Sequence, residues 1–175
     1  HEVSYDQFHE KKERIYEAWN KAEFSGKLQC WSTTPKVMAS AIQRDNPEVE
    51  HTTRVNWQSN YLFTIGEKKL TVSGNIVDST FLQVFSFPML KGNPMTALLS
   101  PNTIILTHKL ADKLFPGEDA MGKIIQSDNK DNFTVTGILK DLPDKRGLCM
   151  TSPRKIENLN GARLNNLLST TSNVI

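Results

Sequence analysis

The stretch FPGEDAMGKII, Phe115 to Ile125, carries the spacing G-x-x-x-x-G-K from Gly117 to Lys123. That is the skeleton of a phosphate-binding P-loop. A working P-loop follows a strand and opens a helix, so that its amides and the helix N-terminus face the phosphates. Here the order is inverted: a helical pattern precedes Gly117 and a strand pattern follows Lys123. Ile124 stands where a Ser or Thr hydroxyl would hold magnesium, and Glu118 and Asp119 would place two negative charges in an anion site. The stretch therefore reads as a helix stop and a turn into a strand, and no nucleotide cofactor is expected.

Other reactive side chains give equally little. His1, His9, His51 and His108 lack metal-ligand spacing and have no cysteine cluster nearby. His9 with Asp6 or Glu13 reads as a surface pair. No G-x-S-x-G setting surrounds any serine. Asp141 with Asp144, and Glu118 with Asp119, sit beside Pro and Gly as turn formers. The expectation is no catalytic, cofactor-binding or metal-binding residue and no enzyme. Cys30 and Cys149 are too few for a disulfide framework, and two unpaired thiols are expected.

The chain has 175 residues, of which 38% are hydrophobic and 23% charged. Those proportions describe a folded domain with a sizeable core. A net charge of +2 gives no footprint for nucleic acid. The mixed-sign run from His9 to Arg14 reads as a solvated helix face. No apolar run approaches the roughly 20 residues needed to span a bilayer. The chain starts with His1, which fits an excised or processed fragment with a membrane segment just outside it.

Caps and periodicity place the elements. Ser4 to Gln7 fits a capping box for a helix to about Lys12. Tyr16 to Phe24 alternates as a strand. Thr34 as N-cap and Pro35 at the first helical position open a second helix, with the stripe Val37, Met38, Ala41 and Ile42, ended by Asn46-Pro47. Strands follow over about Glu48 to Asn56, Tyr61 to Ile65 and Lys69 to Asn75, the last two joined by Gly66-Glu67-Lys68. Asp78 caps a short helix bearing Phe81, Val84 and Phe85. Phe81, Phe85 and Phe87, with Met89 and Leu90, read as core. Thr103 to Leu106 is a strand, and Thr107 caps a helix carrying Leu110, Ala111, Leu114 and Phe115. Gly122 to Gln126 and Asn132 to Leu139 form a hairpin across Ser127 to Asp131, with a bulge near Gly137. Beyond Pro143 the pattern fades to a short helical stretch near Ile156 to Leu168. Among the tryptophans, Trp31 is the candidate exposed contact. The fold class is α+β: small helices packed on a mixed or antiparallel sheet.

The ordered segments SYDQFHEKKERIY, NPEVEHTTRV, GNIVDSTFLQVFSFPMLKGN, PNTIILTHKLADKLFPGEDAMGKII and FTVTGILKDLP together resemble the MacB-like periplasmic core domain of FtsX-type ABC-transporter permeases. The resemblance covers about residues 3 to 143 and is strongest to versions from Bacteroides-like bacteria. It implies an extracytoplasmic domain between two transmembrane helices, on the periplasmic face of the bacterial inner membrane. It also implies two lobes: a porter-like lobe over 1–97 and the start of a smaller lobe over 98–146, with 147–175 an irregular or truncated return. The implied mechanism is mechanotransmission. A cytoplasmic ABC ATPase acts through the transmembrane helices, and the domain passes the motion to a periplasmic adaptor or substrate in export, lipoprotein release or envelope signalling. The family supplies no catalytic residue to carry over, and GLCMTSPRK departs from its pattern. A periplasmic ligand-binding or sensor domain is the alternative from a different class.

Overall fold

The computed structural model describes residues 12–141, 149–151 and 171–174. After a 3-10 turn at Lys12–Arg14 come β1 (Glu17–Ala18), β2 (Asn20–Phe24), β3 (Lys27–Trp31), α1 (Met38–Asp45), β4 (Thr53–Asn56), β5 (Ser59–Ile65) and β6 (Lys68–Ile76). They are followed by α2 (Phe81–Val84), β7 (Met89–Lys91), β8 (Thr103–Thr107), α3 (His108–Leu114), β9 (Ile124–Ser127), β10 (Asp131–Leu139), β11 (Cys149–Thr151) and β12 (Thr171–Val174). The class is α+β, as expected. The expected helices near residues 4–12 and 156–168 lie outside the described residues, apart from that 3-10 turn.

The largest sheet curls until it closes. β10 pairs with β8, β8 with β11, β11 with β6, β6 with β5, β5 with β9, and β9 returns to β10. β10–β8 and β11–β6 are parallel, and the other neighbours in the ring are antiparallel. β9 and β7 share one edge of β10: β9 takes Asp131 to Thr134, and β7 takes Ile138 and Leu139. This sheet draws strands from both sides of residues 97 and 98.

Every residue of β8 is buried, because apolar layers cover both of its faces. Ile104 and Leu106 join Phe63, Val72, Ile125 and Val135 in one core, which α3 covers with Leu110, Ala111 and Leu114. Ile105 points the other way, into a second core with Val77, Phe81, Leu82, Phe87 and Leu98. The expected bulge is present as a register shift between Val135 and Gly137. It brings the β7 turn so close that a β-carbon on Gly92 would sit 2.6 Å from the Thr136 carbonyl oxygen. Gly92 also has φ +93°, a conformation that glycine alone adopts at low cost.

Several sequence expectations are corrected. Thr34 does not cap α1. The Met38 amide donates to the Pro35 carbonyl at 3.0 Å, so residues 35–37 form a turn and the helix starts later. Val37 is consequently 72% exposed, while Ala41 and Ile42 are only half-buried. β4 begins at Thr53 rather than near Glu48, because the Val49 amide closes a turn on the Asn46 carbonyl at 3.0 Å. The tract from Tyr16 to Phe24 breaks at Trp19 and turns back at Ser25-Gly26 into β3, a hairpin partner that the sequence reading lacked. Both turn residues have positive φ, the geometry that suits a two-residue hairpin loop. Asp78 serves α2 through its carbonyl, which accepts the Phe81 amide, while its carboxylate is engaged elsewhere. Thr107 occupies the N-cap of α3, but its hydroxyl makes no capping bond; the Asp141 carboxylate accepts the Lys109 amide at 3.0 Å instead. Of the expected aromatic core, Phe81 and Phe87 are buried, Phe85 is half-buried and Leu90 is exposed.

Leu114 is 3% exposed in the core beneath α3. Leu114→Ala should therefore destabilise the protein by about 2–5 kcal/mol in urea unfolding, since the cavity cannot fully collapse. A loss within the surface range of about 0.5 kcal/mol would remove α3 from its assigned place.

Candidate functional site

The turn from Gly117 to Lys123 lies between α3 and β9, so a helix precedes it and a strand follows. Gly117 and Gly122 both have positive φ, at +73° and +74°. The amides that would cradle a phosphate are engaged within the protein. Glu118 donates to the Phe115 carbonyl at 3.1 Å, Met121 to the Asp119 carboxylate at 3.1 Å, Gly122 to the Val135 carbonyl at 2.8 Å and Lys123 to the Ala120 carbonyl at 3.1 Å. The Lys123 ammonium pairs with Glu118 and lies 5.6 Å from the Phe115 ring centroid. Asp119 pairs with Lys91 at 2.9 Å, fastening the turn to β7. These four amides and this lysine are thus taken up within the protein rather than arranged around a phosphate.

The other chemistry-bearing residues are dispersed. His51 approaches Glu50 at 3.7 Å, and His108 approaches Asp112 at 3.2 Å one helical turn on. His1, His9 and Asp144 lie outside the described residues. Among the described residues, no group of three or more His, Cys, Asp and Glu is placed to hold a metal ion. Cys30 is free and exposed on β3. Cys149 lies on β11 in the closed sheet, and its side chain is outside the described set. Trp31, the candidate exposed contact, is half-buried against Phe24 with ring centroids 5.8 Å apart. Trp19 and Trp57 are the exposed ones, at 54% and 56%.

What the structure does concentrate is a joint. β12 runs between β1 and β4 and is antiparallel to both, with Glu17 opposite Val174 and Arg54 opposite Asn173. Segments from the two ends of the described chain thus share one small sheet. That sheet meets the closed one along β4. Arg54 grips Asp78 through Nε at 2.7 Å and a second guanidinium nitrogen at 2.9 Å, and its own amide donates to the same carboxylate at 2.9 Å. The third guanidinium nitrogen donates to the Lys36 carbonyl at 3.1 Å, tying in the turn before α1. Each side chain of the pair is only about a fifth exposed (22% and 19%). Thr80 donates to the Thr52 carbonyl at 2.6 Å, Asn75 donates to the Asn56 carbonyl at 2.9 Å, and Val55 bridges Val77. Nothing in the sequence pairs Arg54 with Asp78. The two are far apart in the chain, and Asp78 reads locally as a helix cap.

The described residues form a curled sheet with few, short helices. The family model of the MacB-like periplasmic core domain matches residues 2–156. The chain belongs to that family, which places it on the periplasmic side of the membrane as part of an ABC transporter permease, a class that works with an ATPase. Solved structures share the fold. A domain of a permease-type protein from Porphyromonas gingivalis matches with TM-score 0.68 and 22% identity, covering 95% of this chain and 73% of that one. The periplasmic region of MacB from Actinobacillus actinomycetemcomitans matches with TM-score 0.59 and 16% identity, covering 81% and 64%. The extracellular domain of the noncanonic ABC-type transporter YknZ from Gram-positive bacteria matches with TM-score 0.61 and 15% identity, covering 82% and 73%. No curated protein matches. Among the described residues, no helix is long and apolar enough to cross a membrane.

The Lys91 ammonium, followed by the Met121 amide, holds the Asp119 carboxyl below the usual carboxylate range. A depressed folded-state value stabilises the fold above the ordinary carboxylate range, and that contribution disappears as pH falls through the folded value. Lys91→Met should raise the Asp119 titration midpoint observed by NMR, while magnesium-ATP leaves the spectrum of either protein unchanged. An unmoved midpoint would mean that the pair does not persist in solution.

Proposed function

We propose that this domain is a non-catalytic transmission element of an ABC permease. It passes ATPase-driven movement of the membrane helices to a periplasmic substrate or partner, in export, lipoprotein release or envelope signalling. The observation supporting this reading is the joint. β1 and β12 pair in one sheet, so a displacement arriving along either chain segment enters at the same place. β4 lies in that sheet and is clamped to β6 and the segment after it by a bidentate ion pair and several further hydrogen bonds and bridges. Such a connection resists shear because its hydrogen bonds have fixed directions and a guanidinium–carboxylate fork tolerates little rotation. The closed sheet would then move with the small one as a single body. On this reading, ATP is hydrolysed by the partner ATPase, and the permease's adaptor or substrate is met in the periplasm.

Removing one member of a buried pair strands the other charge, at a cost of about 3–5 kcal/mol; with a fifth of each side chain exposed, about 2–3 kcal/mol is expected for Arg54→Ala. In the full-length permease with its ATPase, that variant should lose transported or signalled output while nucleotide binding and turnover persist. An oxidised Val55→Cys/Val77→Cys pair in the same background refastens the joint and should restore output. Full output from Arg54→Ala in a stably folded permease would contradict the transmission role.

A further inference from the structure

The hairpin of β2 and β3 forms a sheet of its own, with no third strand beside either edge among the described residues. Its register sorts the side chains. Asn20 faces Trp31, Ala22 faces Gln29, and Phe24 faces Lys27 on one side, whereas Lys21, Glu23, Leu28 and Cys30 fall on the other. The first side therefore carries a touching Phe24–Trp31 pair and a single charged residue, Lys27. At its base, Trp31 and Asn20 join Thr34, Pro35, Lys36 and Val37 around a groove of about 400 Å³. Among the described residues, no carboxylate lines this groove, and Lys36 is its one charged residue. The face thus carries apolar surface, the Asn20 amide donating to the Thr33 carbonyl, Lys27 toward the turn and Lys36 at the base, while the hairpin's one acid, Glu23, is on the opposite side.

We propose that this face is a docking site for an extended, acidic peptide segment of a partner protein. Its backbone would add as a strand to the edge of β3 that no described strand pairs with, an apolar side chain would enter the groove beside Trp31, and its carboxylates would meet Lys27 and Lys36. Edge addition provides main-chain hydrogen bonds without demanding a sequence, and the pocket and the cations supply the selectivity. An aromatic anchor against a half-buried tryptophan is the type of contact that dominates small interfaces. A basic peptide is disfavoured by the same two lysines. The site is independent of the transmission reading, because it is defined by binding alone.

The test uses the full 175-residue chain and two synthetic octapeptides, alternating Glu-Tyr and alternating Lys-Tyr, followed by NMR and by calorimetry at low and high salt. The Glu-Tyr peptide should bind, shift resonances confined to the hairpin and residues 33–37, and weaken with salt. The double variant Lys27→Glu/Lys36→Glu, altered only at side chains outside the core, should weaken it tenfold or more, and Trp31→Ala should do the same. The Lys-Tyr peptide should not bind. Absence of Glu-Tyr binding, equal binding of both peptides, shifts elsewhere on the domain, or indifference to the lysine variant would each overturn the proposal. So would binding to phosphatidylglycerol vesicles through the same residues with no peptide binding, which would make the face a membrane contact.

Discussion

The Arg54–Asp78 fork is the strongest of the links that join the small sheet to the closed one. β4 belongs to the small sheet by its ladder with β12, and to the rest of the domain by what its side chains hold. The Arg54 guanidinium donates two bonds to the carboxylate of Asp78 and one to the carbonyl of Lys36, and its amide adds a third bond to the same carboxylate. A charge pair in this position is costly to bury and strongly destabilising to break, so it specifies one geometry more than it adds net stability. The second core begins directly behind it, where Val77 and Phe81 pack under Val55. The register between the sheets therefore follows from a fork and a hydrophobic contact acting together.

The rest of the domain meets a different constraint. A curled sheet needs each strand paired on both edges, and β10 achieves this by dividing one edge between β9 and β7. The bulge before Gly137 is what accommodates that division. Closing the end of the ring with α3 requires an immediate reversal into β9, and the glycine turn at 117–122 supplies it. The resemblance of this turn to a P-loop follows from the same economy: glycine for positive φ, then a lysine to meet the turn's own acids. Four of its amides are bonded within the protein, and its charge is cancelled locally.

Legibility in the sequence followed the range of the forces involved. Tyr61 to Ile65, Lys69 to Asn75, Thr103 to Leu106 and Asn132 to Leu139 were readable as strands because alternation and bounding turns are local, and the slip at Gly137 even marked the bulge. The α3 stripe was readable for the same reason. Thr34-Pro35 misled, since a proline turn and a helix start share their residues and only the Met38–Pro35 bond separates them. β3 was missed because Lys27 to Trp31 has almost no buried side to announce it. β11 and β12 are short strands held by distant partners, and their own residues carry little pattern. The joint was invisible: each residue of Arg54–Asp78 had an ordinary local explanation. Family membership was legible through the order of segments, which no single motif conveys.

Whether the two sheets travel as one body can be read directly in the working permease. Spin labels at Glu17 on β1 and Lys69 on β6, both exposed, report the distance across the joint, and a third label near the membrane reports movement of the domain as a whole. Through the ATP cycle of the intact permease with its ATPase, the distance across the joint should stay constant while the distance to the membrane label changes. A joint that opens or slides with nucleotide state, while the closed sheet stays still relative to the membrane, would contradict the account.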